Sequence, residues 1–181
     1  MDAFNFVASV FGLLLGFTLV ELLADFVRVM KSRGRYRVGL LTPALAVFVM
    51  MDLLSWWSTM WTVRSALPVN YGVLLCGLGA AAVYYFAASF VFPDEPGEGS
   101  DFDDHYLAHR RKVLAPILVV SLVTLTALVI LAEFKPGRVQ LISIALYSAA
   151  MTIAIISRSK AVNSAMLAGL IIIYLIWAVV P

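Results

Sequence analysis

The sequence predicts an all-α, polytopic integral membrane protein with six transmembrane helices in a compact bundle. Three observations predict it. Of 181 residues, 62% are hydrophobic and only 13% charged, with a mean hydropathy of +0.96. A water-soluble domain of that length needs more polar surface, and its helices carry an apolar stripe rather than an apolar circumference. Six stretches approach or exceed the roughly 20 residues that cross a hydrocarbon core. When these are threaded alternately, ten of the thirteen basic residues fall on one side, the asymmetry of a positive-inside protein.

The first stretch, Phe4–Val27, is too long for the apolar part of a signal peptide. Asp2 stands where such a peptide is basic, and no small-x-small site follows. It carries a polar stripe at spacings of three, four and three, namely Thr18, Glu21, Asp25 and Arg28. Asp25 and Arg28 are within ion-pairing reach on a helix and sit near its end, where charge is cheap. Glu21 lies deeper, about 10 Å from Arg28 at 1.5 Å per residue. The basic loop over 28–38 follows, with Lys31, Arg33, Arg35 and Arg37.

The second stretch, Gly39–Val63, holds Asp52 near its middle. A lone carboxylate at a helix centre in lipid costs roughly 2.5–3.5 kcal/mol, so it faces a protein interior or an aqueous path. Ser55, Thr59 and Thr62 follow on the same helical face. Trp56 is one turn from Asp52, close enough to pack beside the carboxyl or offer an aromatic face to a cation; bulk packing is the plainer expectation for it. Trp61 and Trp177 fall toward the outer interface as aromatic anchors. Because the first two helices run antiparallel, Glu21 and Asp52 are expected to approach one cavity. Two carboxylates in one low-dielectric site repel, so one of them should hold a proton.

The third stretch, Pro68–Phe92, contains the single cysteine, Cys76, which excludes an internal disulfide and a multi-cysteine metal site. Gly72, Cys76 and Ala80 recur four apart, as do Ala161, Ala165 and Gly169 in the sixth stretch. Such faces let helix backbones approach in lipid, within the bundle first and in a homo-oligomer second. The segment Pro93–Lys112 then gathers Asp94, Glu95, Glu98, Asp101, Asp103, Asp104, His105 and His109. His105 and His109 share a helical face and could chelate a metal with Asp101 or Asp104. An EF-hand fails there, since Tyr106 takes the glycine position and Lys112 the bidentate glutamate position. The plainer expectation is a helix start, with helix-breaking Pro93, Pro96, Gly97 and Gly99, a Ser100/Asp103 capping pair, acids in the first turn and Arg110, Arg111 and Lys112 at the headgroups.

The last three stretches are Val113–Phe134, Val139–Ile156 and Ala161–Val180. Ala66–Asn70 and Lys135–Arg138 allow only tight turns, with Pro68, Pro136 and Gly137 as breakers. Glu133 lies near an outer end, where it can snorkel. Ser121, Thr124, Gln140, Ser143, Tyr147, Asn163 and Tyr174 are further polar candidates, and Gln140, Ser143 and Tyr147 share one face of the fifth helix. The chain thus divides into 1–92, with helices one to three, the acidic and histidine-bearing segment 93–112, and 113–181, with helices four to six. It makes one membrane domain overall. Two halves of three helices would be related by inverted topology, as in secondary transporters, although no residue-level echo between them is seen.

Both termini are expected outside, with 28–38, 93–112 and 157–160 cytoplasmic, in a plasma membrane that is the inner membrane if the source is prokaryotic. Function follows from the polar path. Asp52, Glu21, Ser55, Thr59, Thr62 and Trp56 suit a small channel or transporter moving protons or cations. Two other classes fit: a non-catalytic interaction protein presenting Pro93–Lys112 to a cytosolic partner, and a membrane-embedded enzyme on lipid or isoprenoid substrates using Asp101, Asp104, His105 and His109. No GxSxG, HExxH, P-loop or CxxC is present. Nor is there an intramembrane histidine pair for haem, or a mid-depth lysine for a retinal Schiff base. No cofactor and no nucleic-acid partner are expected.

Overall fold

The computed structural model describes residues 3–31, 36–64, 70–94, 99–131 and 134–179. Arg33, Arg35, Pro68, Glu95, Pro96, Gly97, Glu98 and Glu133 lie outside them, as does most of the turn expected over 66–70. Six helices are formed: α1 (Ala3–Lys31), α2 (Leu41–Thr62), α3 (Tyr71–Ser89), α4 (Phe102–Leu131), α5 (Arg138–Ile156) and α6 (Lys160–Val179). Among the described residues there is no strand, only one isolated parallel bridge between Arg37 and Asp101. All six helices are long and apolar enough to cross a membrane. Large aliphatic side chains stand exposed along them, among them Leu13, Leu75, Ile130, Ile142 and Ile172.

α2 is the hub. Half of its most apolar window is buried, against 28% or less in every other helix. It packs on α6, α4, α1 and α3, while α1 lies beside α3, α3 beside α4, α4 beside α5 and α5 beside α6. The first three helices and the last three are therefore interleaved through α2. Gly77 lets α1 and α3 close up, since a Cβ there would come within 2.6 Å of the Phe11 ring.

Local chemistry sets the helix starts. Asn70 caps α3 by accepting the Val73 N–H at 3.0 Å, and Gln140 reaches back to the Gly137 N–H at 2.8 Å to start α5. α4 begins at Phe102, well before its apolar part, and runs unbroken through Pro116. Its first turn is capped by Asp101, whose Oδ1 accepts the Asp103 N–H at 2.8 Å. The Asp103 carboxylate is turned elsewhere. It accepts the Leu41 N–H at 2.9 Å, capping α2, whose own N-cap residue Leu40 supplies no side-chain hydrogen bond.

That exchange is the centre of a clasp at the basic end of the bundle. Arg37 and residues 100–102 trade backbone hydrogen bonds, Thr42 Oγ1 donates to the Phe102 carbonyl at 2.6 Å, and Tyr36 stacks on Phe102. Gly39 makes the approach feasible. Its φ is +58°, and a Cβ would lie 2.2 Å from Asp103 Oδ1. Lys160, at the start of α6, closes the ring by pairing with Asp104 at 2.8 Å and with Asp101 at 3.5 Å. Behind the clasp, buried Tyr106 donates to Asn163 Oδ1 at 2.7 Å, and the Asn163 amide donates to the carbonyls of Ser157 and Ser159. The joint between α4 and α6 is thus fully hydrogen-bonded on the asparagine side.

Candidate functional site

Midway along α2, Asp52 is only 3% exposed. Burying a carboxylate without compensation is prohibitive, and here the compensation comes from three phenols on three different helices. Tyr84 of α3 donates to Oδ2 at 2.6 Å. Tyr147 of α5 donates to Oδ1 at 2.8 Å, and Tyr174 of α6 donates to the same oxygen. Among the described residues no basic side chain forms an ion pair with Asp52. Every partner is neutral, so the carboxylate has donors around it and no resident counter-charge.

Aromatic rings enclose this centre. Phe48 lies 6.5 Å from the Tyr147 ring and 6.1 Å from that of Tyr174, the latter two meet edge to face, and Trp56 leans on Tyr84 at 6.2 Å. Trp56 is fixed by its indole N–H, which donates to Thr124 Oγ1 at 3.0 Å. Ser121 Oγ is 3.2 Å from Tyr147 Oη.

From Asp52 a cavity of about 740 Å3 runs toward the end of the bundle opposite the clasp, between α2, α4, α5 and α6. Asp52, Ser55, Thr59 and Thr62 form its α2 wall, about 15 Å long at 1.5 Å per residue. Ser121, Thr124, Gln140, Ser143, Tyr147, Tyr174 and Trp177 contribute from the other helices, with Leu54, Leu122, Leu125, Ile144 and Ile173 between them. Toward the clasp the cavity is closed. One turn beyond Asp52, Ser121, Tyr147 and Tyr174 lie Phe48, Ile117, Met151 and Leu170, all with no exposed surface. These four form a single apolar layer across α2, α4, α5 and α6.

The hydroxyls on the wall have a common polarity. Thr59 Oγ1 donates to the Ser55 carbonyl, Thr62 Oγ1 to that of Ser58, and Ser121 Oγ to that of Ile117. With their protons engaged along their own helix, Thr59 and Thr62 face the cavity with lone pairs, whereas the Ser121 proton is shared between the Ile117 carbonyl and Tyr147 Oη, whose own proton goes to Asp52. Thr124 already accepts from Trp56. The wall is thus rich in acceptors, with the Asp52 carboxylate at its closed end.

The structure brings Asp52, Ser55, Trp56, Thr59 and Thr62 together on this cavity but leaves Glu21 off it. Glu21 is hydrogen-bonded by the Tyr85 phenol. Tyr84 and Tyr85 are adjacent on α3 and so point about 100° apart, Tyr84 inward to Asp52 and Tyr85, 50% exposed, outward to Glu21. The two carboxylates do not share a site, and the expected repulsion between them has no counterpart here. Asp25 and Arg28 do pair, at 2.9 Å. Tyr84 is the residue that sequence reasoning missed. Its signal was a paired tyrosine in the middle of an otherwise apolar stretch, read only for its small residues.

His105 and His109 stack with ring centroids 4.3 Å apart, yet each ring has an N–H directed at a carbonyl, His105 Nε2 at Phe90 and His109 Nδ1 at His105. Asp101 and Asp104 turn to Lys160. Among the described residues no group of three or more His, Cys, Asp or Glu side chains is placed to hold a metal. For Asp101, partial burial pushes its carboxyl up, but the Asp103 N–H and the Lys160 ammonium outweigh this and hold it below the usual carboxylate range.

Comparisons of the chain with protein families, with curated proteins and with solved structures return no match.

Proposed function

We propose that this chain is an integral membrane protein whose six helices cross a plasma membrane with the clasp in the cytoplasm, and that it carries protons or cations through a gated path centred on Asp52. The exposed aliphatic belt supports insertion, because water solvates such a surface poorly, and the bias of ten basic residues against three supports the orientation. The observation that carries the transport reading is the carboxylate itself: buried, held by three neutral phenols, without a counter-charge, at the closed end of an acceptor-lined cavity. A site that sets one carboxylate beside threonine lone pairs favours a positive guest over an anion.

The phenols give the site a switching chemistry. A protonated carboxyl carries an O–H that needs an acceptor of its own, so protonating Asp52 adds a donor to a centre already ringed by three. Each phenol sits one turn from the residue that packs toward the clasp on its own helix. Met151 and Leu170 of the apolar layer lie one turn from Tyr147 and Tyr174, a proximity that supports coupling between the guest and the layer that closes the path. The acids of the 101–104 turn are engaged within the chain, which favours a structural clasp over a partner or substrate surface.

The test is flux in proteoliposomes. Wild-type protein should dissipate an imposed proton or potassium gradient well above empty vesicles. Asp52→Asn, which keeps the shape and loses the charge, should remain folded by gel filtration and fail to do so. Undiminished flux in a folded Asp52→Asn protein removes the proposal.

A further inference from the structure

We infer, resting on the reading just proposed, that the cation this site takes is a quaternary or charge-delocalised organic cation with an apolar body. Size comes first. The cavity of about 740 Å3 lies within the 300–1,000 Å3 range of small-molecule sites, and its α2 wall runs about 15 Å, far beyond the needs of a proton or a bare metal ion. The second argument is the lining. Leu54, Leu122, Leu125, Ile144 and Ile173 also line it, apolar surface that adds nothing to the holding of a small inorganic ion but would bury a hydrocarbon or aryl body favourably.

The third argument comes from the bottom of the cavity. Asp52 already accepts three phenolic hydrogen bonds. A primary ammonium, with three N–H donors to satisfy, meets a carboxylate with little accepting capacity left. A quaternary ammonium or phosphonium has no donors and requires only negative charge and aromatic faces. The charge and the rings are both present, since Trp56, Tyr84, Tyr147 and Tyr174 line the cavity together with Asp52. Cation–π attraction to such rings is strongest when the guest is desolvated. A single carboxylate sets the guest at one positive charge.

The experiment uses the full-length protein in neutral maltoside micelles with radiolabelled tetraphenylphosphonium, by equilibrium dialysis against protein-free micelles. Quenching of tryptophan emission serves as the second signal, because Trp56 and Trp177 line the cavity. Saturable one-to-one binding is expected. Asp52→Asn and, independently, the cavity-filling Thr59→Phe should each weaken it at least about tenfold. Tetraphenylborate, equal in shape and opposite in charge, should not compete. Saturable binding that survives both substitutions, or equal competition by tetraphenylborate, overturns the inference. If tetraphenylphosphonium fails to bind wild-type protein that still shows Asp52-dependent proton or potassium flux, the organic-cation assignment falls and transport stands. If it binds saturably and Asp52-dependently while no cation moves across vesicles, the site is upheld and the transport reading falls.

Discussion

Asp52 and Asp103 are the same residue type, both held by hydrogen bonds from other segments, and their surroundings are opposite in kind. Asp103 lies at the basic end of the bundle, where its carboxylate accepts a backbone N–H of α2 that has no other cap. Its neighbours Asp101 and Asp104 share a lysine. One ammonium serves two of these carboxylates and a backbone N–H the third, so the acids serve as fasteners. Asp52 sits mid-bundle among phenols whose O–H groups can rotate, with no counter-charge among the described residues and a cavity beside it. What distinguishes the two carboxylates is the nature of the partner, not depth alone. Fixed donors and a lysine make a joint; rotatable neutral donors leave a charge available to a guest.

The contrast breaks most directly at Asp52. Asp52→Asn is expected to reduce cation flux by about a hundredfold or more, since an uncompensated loss of several kcal/mol of guest attraction translates into that range. Its melting temperature should move little, because an amide can both accept from and donate to phenols. If thermal stability collapses while flux per folded molecule is kept, Asp52 belongs with Asp103 as a fastener.

Substitution of the phenols sharpens the same point with a smaller effect. Tyr84→Phe removes the donor at Oδ2, and Tyr174→Phe one of the two at Oδ1. Leaving part of a buried carboxylate unsatisfied costs about 1–3 kcal/mol, so each variant should melt lower and carry flux reduced roughly tenfold. Tyr85→Phe, whose phenol meets Glu21 on the outer side of α3, should do neither. Equal effects at Tyr84 and Tyr85 would mean that the inward ring has no special part.

How much of this was legible in the sequence follows the same divide. Helix number and approximate span came directly from apolar length, because a stretch such as 139–156 has no alternative way to satisfy its backbone in lipid. Asp52 and its hydroxyl stripe were visible because one face of one helix is a local property. The tyrosine ring was not, since Tyr84, Tyr147 and Tyr174 converge through packing of α3, α5 and α6 on α2, which periodicity does not encode. The pairing of Glu21 with Asp52 failed for the same reason. An antiparallel neighbour fixes height, but rotation about the α1 axis decides which face is met, and it turned Glu21 to Tyr85. At the clasp the sequence showed a helix start and offered Ser100 with Asp103. The swap that sends Asp103 to α2 depends on a contact across 62 residues.

The clasp gives the next largest effect. Gly39→Ala places a side chain at a φ of +58° and against Asp103, a strain of about 1–3 kcal/mol. Asp103→Ala loses only the cap, about 1 kcal/mol. Both should lower the melting temperature, in that order, and leave flux per folded molecule unchanged. A flux defect matching that of Asp52→Asn would join the two regions into one machine.

The smallest effect is expected at Lys160, and its value lies in its sign. Asp101 has its carboxyl held below the usual range by the Asp103 N–H and the Lys160 ammonium, against its own partial burial. A carboxyl lowered in the folded state binds its proton more weakly folded than unfolded. Its contribution is therefore complete above the ordinary carboxylate pKa of about 3.9 and is lost as pH falls through the lower folded value. Lys160→Met removes the ammonium, so Asp101 should move back up and the acid-side fall in melting temperature should become shallower. The difference therefore lies near neutrality, where the variant melts only slightly lower because the pair is exposed and screened, and the two proteins converge toward pH 3. The distinguishing measurement is a series of melts from neutral pH down to about pH 3, wild type against Lys160→Met, with salt added in parallel. An acid dependence unchanged in the variant would place the acid-sensitive carboxylates away from the clasp.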